Sequence, residues 1–242
     1  MPNNPTYFAL LEACGQPGCP VCWFVQQCVE RYLNSLFYEH VNDSWVRRRL
    51  RRSRGFCHEH AFMVLEQGLG DALGVAMIYR DVLTTILQQL PKEVSPASFR
   101  KRFYSSWLRR GSRLLKRQLE RIQRILMPQE RCLACQQRDL YTQIALGVLT
   151  GSLADDALTS ALASSNGLCL PHLKLAIEQI TDGQALEKLL SISYEQLARL
   201  NSELAEFIRK HDYRFRDQGF GVEGDSWRRA VRATVGERGK TP

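Results

Sequence analysis

The spacing of cysteine and histidine constrains the fold of this chain more than any other feature of its sequence. Two C-x2-C motifs occur, C-P-V-C at residues 19–22 and C-L-A-C at residues 132–135. After 34 and 33 residues respectively, each is followed by a C-x2-H motif, at residues 57–60 and 169–172, and each C-x2-H follows a glycine and an apolar residue. Self-similarity of this kind indicates that the chain contains two copies of one unit.

Aligning the two halves sorts the cysteines by whether they recur. Three pairs of leucines coincide in the alignment: Leu33 with Leu146, Leu36 with Leu149 and, after one deletion, Leu50 with Leu162. Cys14 and Cys28 have no cysteine opposite them, so we expect them to be small hydrophobic residues of the core. The recurrent residues are the candidate metal ligands: Cys19, Cys22, Cys57, His60, Cys132, Cys135, Cys169 and His172.

Apolar residues recur at intervals of three and four, which is typical of helices that bury one face. Strand-like alternation is scarce, so we predict an all-α fold of two duplicated helical modules, each organised by a Cys₃His metal site and joined by a long basic helix. The predicted segments are a first module (1–90), the basic connecting helix (91–130), a second module (131–211) and a tail with a short helix (212–242).

Three thiolates and one imidazole form the closed tetrahedral donor set of structural zinc, and each motif lies at a predicted helix N-terminus, where thiolates are favoured. We therefore expect two bound Zn²⁺ ions. An iron–sulfur cluster is the alternative cofactor, because cysteine and histidine also hold such clusters. A dithiol role for the C-x2-C motifs is a further alternative, although the βαβ context that it requires is missing.

The C-x2-C and C-x2-H motifs can pair in two ways. We expect each module to bind one zinc ion through its own C-x2-C and C-x2-H. The spacing leaves open the other arrangement, in which the C-x2-C of one half pairs with the C-x2-H of the other.

The formal net charge of +8 comes entirely from residues 91–130, which hold 11 basic and 3 acidic residues. A basic stripe of this kind can bind nucleic acid or another anion without reading sequence, or it can be a solvated helix face. The candidate residues are Arg100, Arg102, Arg109, Arg110, Arg113, Arg117 and Arg121.

Composition narrows the class of protein. The 242 residues are 44% hydrophobic and 24% charged, as in an ordinary globular protein, and no apolar run approaches a membrane span. The N-terminus lacks the basic region of a signal peptide, and eight sparse cysteines suit a reducing compartment, so we expect a cytoplasmic protein. No P-loop, dinucleotide, nucleophile-elbow or HExxH motif is present, which favours a non-enzymatic role.

The paired CxxC…GxCxxH units and the ending, KHDYR at 210–214 and GDSWRRA at 224–230, resemble an uncharacterised bacterial family, a domain of unknown function. The resemblance implies a bacterial source and a shared cysteine framework, and it brings no assigned activity. The sequence therefore predicts a zinc-stabilised binding or scaffold protein with an unidentified protein partner. An iron–sulfur or dithiol redox protein and a nucleic-acid-binding protein are the alternatives.

Overall fold

The computed structural model describes residues 4–91 and 108–237, and every regular element in those ranges is helical. The all-α prediction is confirmed for this part of the chain. Its eleven α-helices are α1 (Pro5–Cys14), α2 (Pro20–Glu39), α3 (Ser44–Arg52), α4 (His58–Glu66), α5 (Ala72–Gln89), α6 (Leu108–Leu126), α7 (Leu133–Gly151), α8 (Asp156–Ser164), α9 (Leu170–Gln179), α10 (Gly183–Lys210) and α11 (Ser226–Val235). Two short 3-10 helices, Tyr213–Gln218 and Val222–Asp225, lie between α10 and α11.

Aspartate caps start the two nine-residue helices α3 and α8. The Asp43 carboxylate accepts hydrogen bonds from the backbone N–H groups of Trp45 and Val46, at 2.8 and 2.9 Å. In the same way, the Asp155 carboxylate accepts a hydrogen bond from the backbone N–H of Leu158 at 3.0 Å. Each carboxylate satisfies donors that have no partner within the first turn, which fixes where the helix begins.

The described helices form two compact units, and each unit contains residues from both halves of the sequence. The first unit comprises residues 4–29 and 138–237, and the second comprises residues 30–91 and 108–137. These units are defined by contacts within the folded chain. The division of the sequence at residues 90, 130 and 211 stays a prediction.

Leucine dominates the core of both units. All six leucines that the halves share in the sequence alignment are at most 1% exposed. Leu146, Leu149 and Leu162 lie in the first unit, whereas Leu33, Leu36 and Leu50 lie in the second. The predicted helix faces are therefore the faces that are buried.

The basic segment forms helix α6 where the structure describes it, from Leu108 to Leu126. Arg100 and Arg102 lie outside the described residues, as do the side chains of Arg109, Arg110 and Arg113. None of the helices in the described ranges combines the length and the apolar character that a membrane span needs.

Candidate metal centres

Each of the four cysteine motifs forms the N-terminus of a helix. Cys57 and Cys169 are the N-cap residues of α4 and α9. Cys19 and Cys132 immediately precede α2 and α7, and their carbonyl groups accept the first helical hydrogen bonds, at 3.0 and 3.1 Å. The second ligand of each motif follows three residues later and lies on the same side of the first turn. The prediction that the motifs lie at helix N-termini is confirmed.

Four side chains of the first unit form what we call the first Cys₃His group: Cys19, Cys22, Cys169 and His172. Their ligand atoms all lie within 4.8 Å of one another. The Nδ1 atom of His172 is 3.5, 3.3 and 3.3 Å from the sulfurs of Cys19, Cys22 and Cys169, in that order. The sulfurs of Cys22 and Cys169 are 3.7 Å apart.

The second Cys₃His group lies in the second unit and consists of Cys57, His60, Cys132 and Cys135. Here the Nδ1 atom of His60 is 3.2, 3.8 and 3.4 Å from the sulfurs of Cys57, Cys132 and Cys135. The sulfurs of Cys57 and Cys135 are 3.5 Å apart. The two groups therefore have the same donor atoms at closely similar separations, and each can hold a metal ion.

The pairing of the motifs corrects the expectation that each half builds its own site. The C-x2-C at 19–22 meets the C-x2-H at 169–172, and the C-x2-C at 132–135 meets the C-x2-H at 57–60. The pairing within a half is wrong, and the pairing between halves, which the spacing left open, is what the structure shows. The physical reason is that a C-x2-C grips an ion from one helix turn and leaves the second pair to whichever helix packs opposite.

A glycine with positive φ turns the chain into each C-x2-H motif, with φ of +82° at Gly167 and +85° at Gly55. At Gly167 the turn is held by the buried side chain of Gln196, whose amide donates to the carbonyl of Leu162 at 2.6 Å. A Cβ at Gly167 would collide with that amide. At Gly55 the carbonyl oxygen accepts a hydrogen bond from the hydroxyl of Ser53 at 2.7 Å. Gln196 could not be singled out from the sequence, because a glutamine on a helix usually faces solvent.

The thiols of the first group lie close together and are largely shielded from solvent. Burial raises the pKa of the Cys19 thiol to about 12. Hydrogen bonds from Cys19 and Cys22 hold the pKa of Cys169 well below its usual range, and the bond to Cys169 raises the pKa of Cys22. Burial acts to lower the pKa of His172, but its hydrogen bonds with Cys169 and Cys22 raise it to about 9. Three thiols that cannot all ionise together in the absence of a cation are a donor set that fits a metal ion.

The same physics acts in the second group. Burial raises the pKa of the Cys132 thiol, although the backbone N–H of Cys57 acts in the opposite direction. Burial also raises the pKa of Tyr79, and the nearby sulfurs of Cys132 and Cys57 add to that effect. An aromatic side chain thus stands beside this group.

The C-terminal segment, by which we mean residues 236–237, lies against the first group. The backbone N–H of Glu237 donates a hydrogen bond to the sulfur of Cys22 at 3.4 Å. A Cβ placed on Gly236 would be 3.6 Å from the sulfurs of both Cys22 and Cys169. Gly236 has a φ of +88°, which ends α11 and directs the next residue toward Cys22. Nothing in the sequence indicated this contact.

The remaining candidate residues are placed as follows. Cys14 and Cys28 are buried, at 7% and 8% exposure, and belong to neither group, as predicted. Arg117 and Arg121 are exposed on α6 and belong to neither Cys₃His group.

A helical protein with two Cys₃His groups is the class that fold and site define. The chain belongs to a family of unknown function, DUF6062, whose model matches residues 9–241. It is similar to an uncharacterised 23.9 kDa protein in the xynA 3′ region of Caldicellulosiruptor sp. (strain Rt8B.4), with 25% identity over 209 residues, covering 85% of this chain and 88% of that protein. The resemblance to an uncharacterised bacterial family is confirmed. No solved structure matches the chain.

Proposed function

We propose that this protein is a zinc-stabilised binding or scaffold protein of the bacterial cytoplasm, in which both Cys₃His groups are structural zinc centres. The observation that carries the proposal is the spacing of the ligand atoms, all within 4.8 Å of one another in each group. Around a tetrahedral zinc ion, two sulfurs lie about 3.8 Å apart, and a sulfur and a nitrogen about 3.5 Å apart. The separations given above, which range from 3.2 to 3.8 Å, lie close to those values.

The same spacing favours a single ion over an iron–sulfur cluster. A cluster distributes its protein ligands over two or more iron atoms, so their donor atoms stand farther apart than around one ion. Thiolate and imidazole ligands in a tetrahedral set select zinc among the common divalent ions.

Four protein ligands leave no coordination position for water or substrate. A zinc ion held in this way lacks the open position that hydrolytic zinc enzymes use. The proposed ions therefore stabilise the fold and take no part in a reaction.

Each proposed ion would join distant parts of the chain. Cys22 and Cys169 are separated by 147 residues, and Cys57 and Cys135 by 78. Each ion would also join two helix N-termini, whose partial positive charge favours the thiolates. Loops of this length are expensive to close, so a bound ion stabilises the fold mainly by holding these segments together.

The test is elemental analysis of protein purified without added metal, after its visible spectrum has been recorded anaerobically. Two zinc ions per chain and no visible absorbance are expected. Iron with a broad absorbance would contradict the proposal and favour a redox protein, and finding neither metal would leave the dithiol alternative. Cys28→Ala is the matched control, because Cys28 is buried like Cys19 and Cys169 but belongs to neither group.

A second function, binding of an anionic partner such as nucleic acid, is favoured by a difference between two basic helices of the second unit. On α3, Arg49 and Arg52 contact the carboxylate of Glu130 at 3.1 and 3.0 Å. Arg51 contacts Asp81 at 2.8 Å. Most of the positive charge of α3 is therefore paired with carboxylates of the same unit.

Helix α6 differs, because four exposed basic side chains have no carboxylate partner among the described residues: Lys116, Arg117, Arg121 and Arg124. Binding of single- and double-stranded nucleic acid should weaken as salt rises, and Arg117→Ala with Arg121→Ala should reduce that slope by about two. Lys174→Ala on α9 is the control for loss of an exposed positive charge. Absent or salt-insensitive binding would rule this function out.

A further inference from the structure

The C-terminal segment, residues 236–237, contacts the first Cys₃His group at Cys22. Cys22 is partly accessible, whereas Cys19 and Cys169 are buried. The backbone N–H of Glu237 donates to the Cys22 sulfur at 3.4 Å, and Gly236 lies against the sulfurs of Cys22 and Cys169. Among the three cysteines of the group, the most accessible one is therefore the one that this segment contacts.

Several contacts hold the segment in place. The N–H of Gly236 donates to the carbonyl of Arg232 at 2.9 Å, and the guanidinium of Arg232 lies 3.4 Å from the carboxylate of Glu237. Helix α11, which leads into the segment, is tied to α10 by the ion pair between Arg229 and Glu203. The Glu237 side chain also occupies the space beside Gly18, the residue before Cys19.

We propose that residues 236–237 form an outer wall of the first metal centre, which slows both the loss of its ion and the attack of electrophiles on Cys22. This inference rests on the proposed function. A backbone that lies against the sulfurs limits the approach of solvent and reagents, and an N–H donor to a ligand sulfur fixes its orientation toward the ion. Glycine at 236 is needed because a φ of +88° is strained for any residue with a side chain.

The effect is confined to one centre. The sulfurs that Gly236 and Glu237 contact, Cys22 and Cys169, both belong to the first group. The second Cys₃His group in the same chain is therefore an internal control in every measurement.

The experiment compares two substitutions at one position of the full-length protein. Glu237→Pro removes the N–H donor, whereas Glu237→Ala keeps the donor and removes only the carboxylate. Zinc release to the chelator 4-(2-pyridylazo)resorcinol is followed by absorbance. Labelling by N-ethylmaleimide is followed by mass spectrometry of the peptides that contain Cys22 and Cys57.

A second pair of variants guards against a general loss of folding. Gly236→Ala strains the turn that places the donor, and Gly219→Ala strains another positive-φ turn, with a φ of +60° and no atom near its Cβ position. Circular dichroism checks that all four variants are folded.

We expect Glu237→Pro and Gly236→Ala to speed labelling of Cys22 and release of one zinc ion by about tenfold or more, as for lost outer-shell contacts at other metal sites. Labelling of Cys57 should not change, and Gly219→Ala should behave as wild type. Glu237→Ala, which keeps the N–H donor but loses the ion pair with Arg232, should have a clearly smaller effect than Glu237→Pro. Unchanged rates at Cys22, or equal acceleration at Cys22 and Cys57, would overturn the inference while two ions remain bound. A wild-type protein that holds no metal would overturn the proposed function and this inference together.

Discussion

The two Cys₃His groups share their donor atoms and their positions at helix N-termini, but they lie in different surroundings. The first group is in contact with the C-terminal segment through Gly236 and Glu237. The second stands beside the ring of Tyr79, in the unit that also contains the basic helix α6. Each set of donor atoms comes from two helix N-termini, and the residues around those helix turns differ between the two groups.

The helices that follow the two C-x2-C motifs also differ in their surroundings. In the second unit, Phe37 is 2% exposed and packs so closely on Gly70 that a Cβ there would lie 2.4 Å from it. In the first unit, the position that the predicted repeat aligns with Phe37 is Thr150. Thr150 lines an open cleft of about 520 Å³ together with Gly147 and Gly151.

Removing a proposed metal ligand is the largest test of whether the two groups are equivalent. Cys169→Ser and Cys57→Ser should each lose one equivalent of zinc and unfold the protein at room temperature. A structural zinc site contributes on the order of 10–16 kcal/mol of apparent folding free energy, as much as the whole stability of an ordinary domain. Metal content and circular dichroism check this, with Cys28→Ala as control, and a folded variant with two ions would contradict it.

The next largest difference should come from Phe37 and Thr150. Phe37→Ala removes a buried ring and should lower the free energy of unfolding by about 3–5 kcal/mol. Thr150→Ala changes a residue beside open space and should alter it by only about 0.5 kcal/mol. Urea denaturation measures both values, and equal losses would show that the cleft is closed in solution.

Two glycines provide a smaller test in the first unit. Gly167→Ala should destabilise by about 1–3 kcal/mol, because φ is +82° and the new Cβ would displace Gln196. Gly147 lies within α7 and has room for a Cβ, so Gly147→Ala should stabilise by about 0.5–1 kcal/mol. The opposite signs are checked by the same denaturation experiment. A loss in both variants would mean that α7 tolerates no added atom.

The smallest effect concerns the ion pair between Lys210 at the end of α10 and Glu223 of the second 3-10 helix. The Lys210 ammonium, 2.6 Å away, and the N–H of Gly221 lower the pKa of Glu223 to about 2. Because the pKa in the folded state lies below the usual value for glutamate, the stabilisation is present above about pH 4.3 and is lost as pH falls toward 2. The difference in unfolding free energy between wild type and Glu223→Gln should therefore shrink from pH 6 to pH 3. A constant difference would show that Glu223 is not held by charge.

Local patterns in the sequence predicted much of the site. The spacing of C-x2-C and C-x2-H places two side chains on one helix turn, whatever the rest of the chain does. The motifs were accordingly expected at helix N-termini, and Cys57 and Cys169 are indeed N-caps. Helix burial follows the same logic, since Leu33 and Leu146 repeat at helical spacing with their neighbours and are fully buried.

Contacts between distant residues were beyond the reach of such patterns. Gln196 holds the turn at Gly167 across 29 residues, and Glu237 contacts Cys22 across 215. Neither residue type at its position indicates such a contact. A backbone N–H in particular is the same in nearly every residue, so its role as a donor to sulfur is visible only in the folded chain.

By itself the sequence determined the donor atoms, the helical class and the family, because each depends on residue types at short spacing. The tertiary structure decided which pairs of ligands meet. Each half of the chain contains one C-x2-C motif and one C-x2-H motif, and each motif supplies two donor atoms. Either C-x2-C could therefore pair with either C-x2-H. Packing of helices from different halves brings 19–22 to 169–172 and 57–60 to 132–135, a choice made by the whole core and by no single motif.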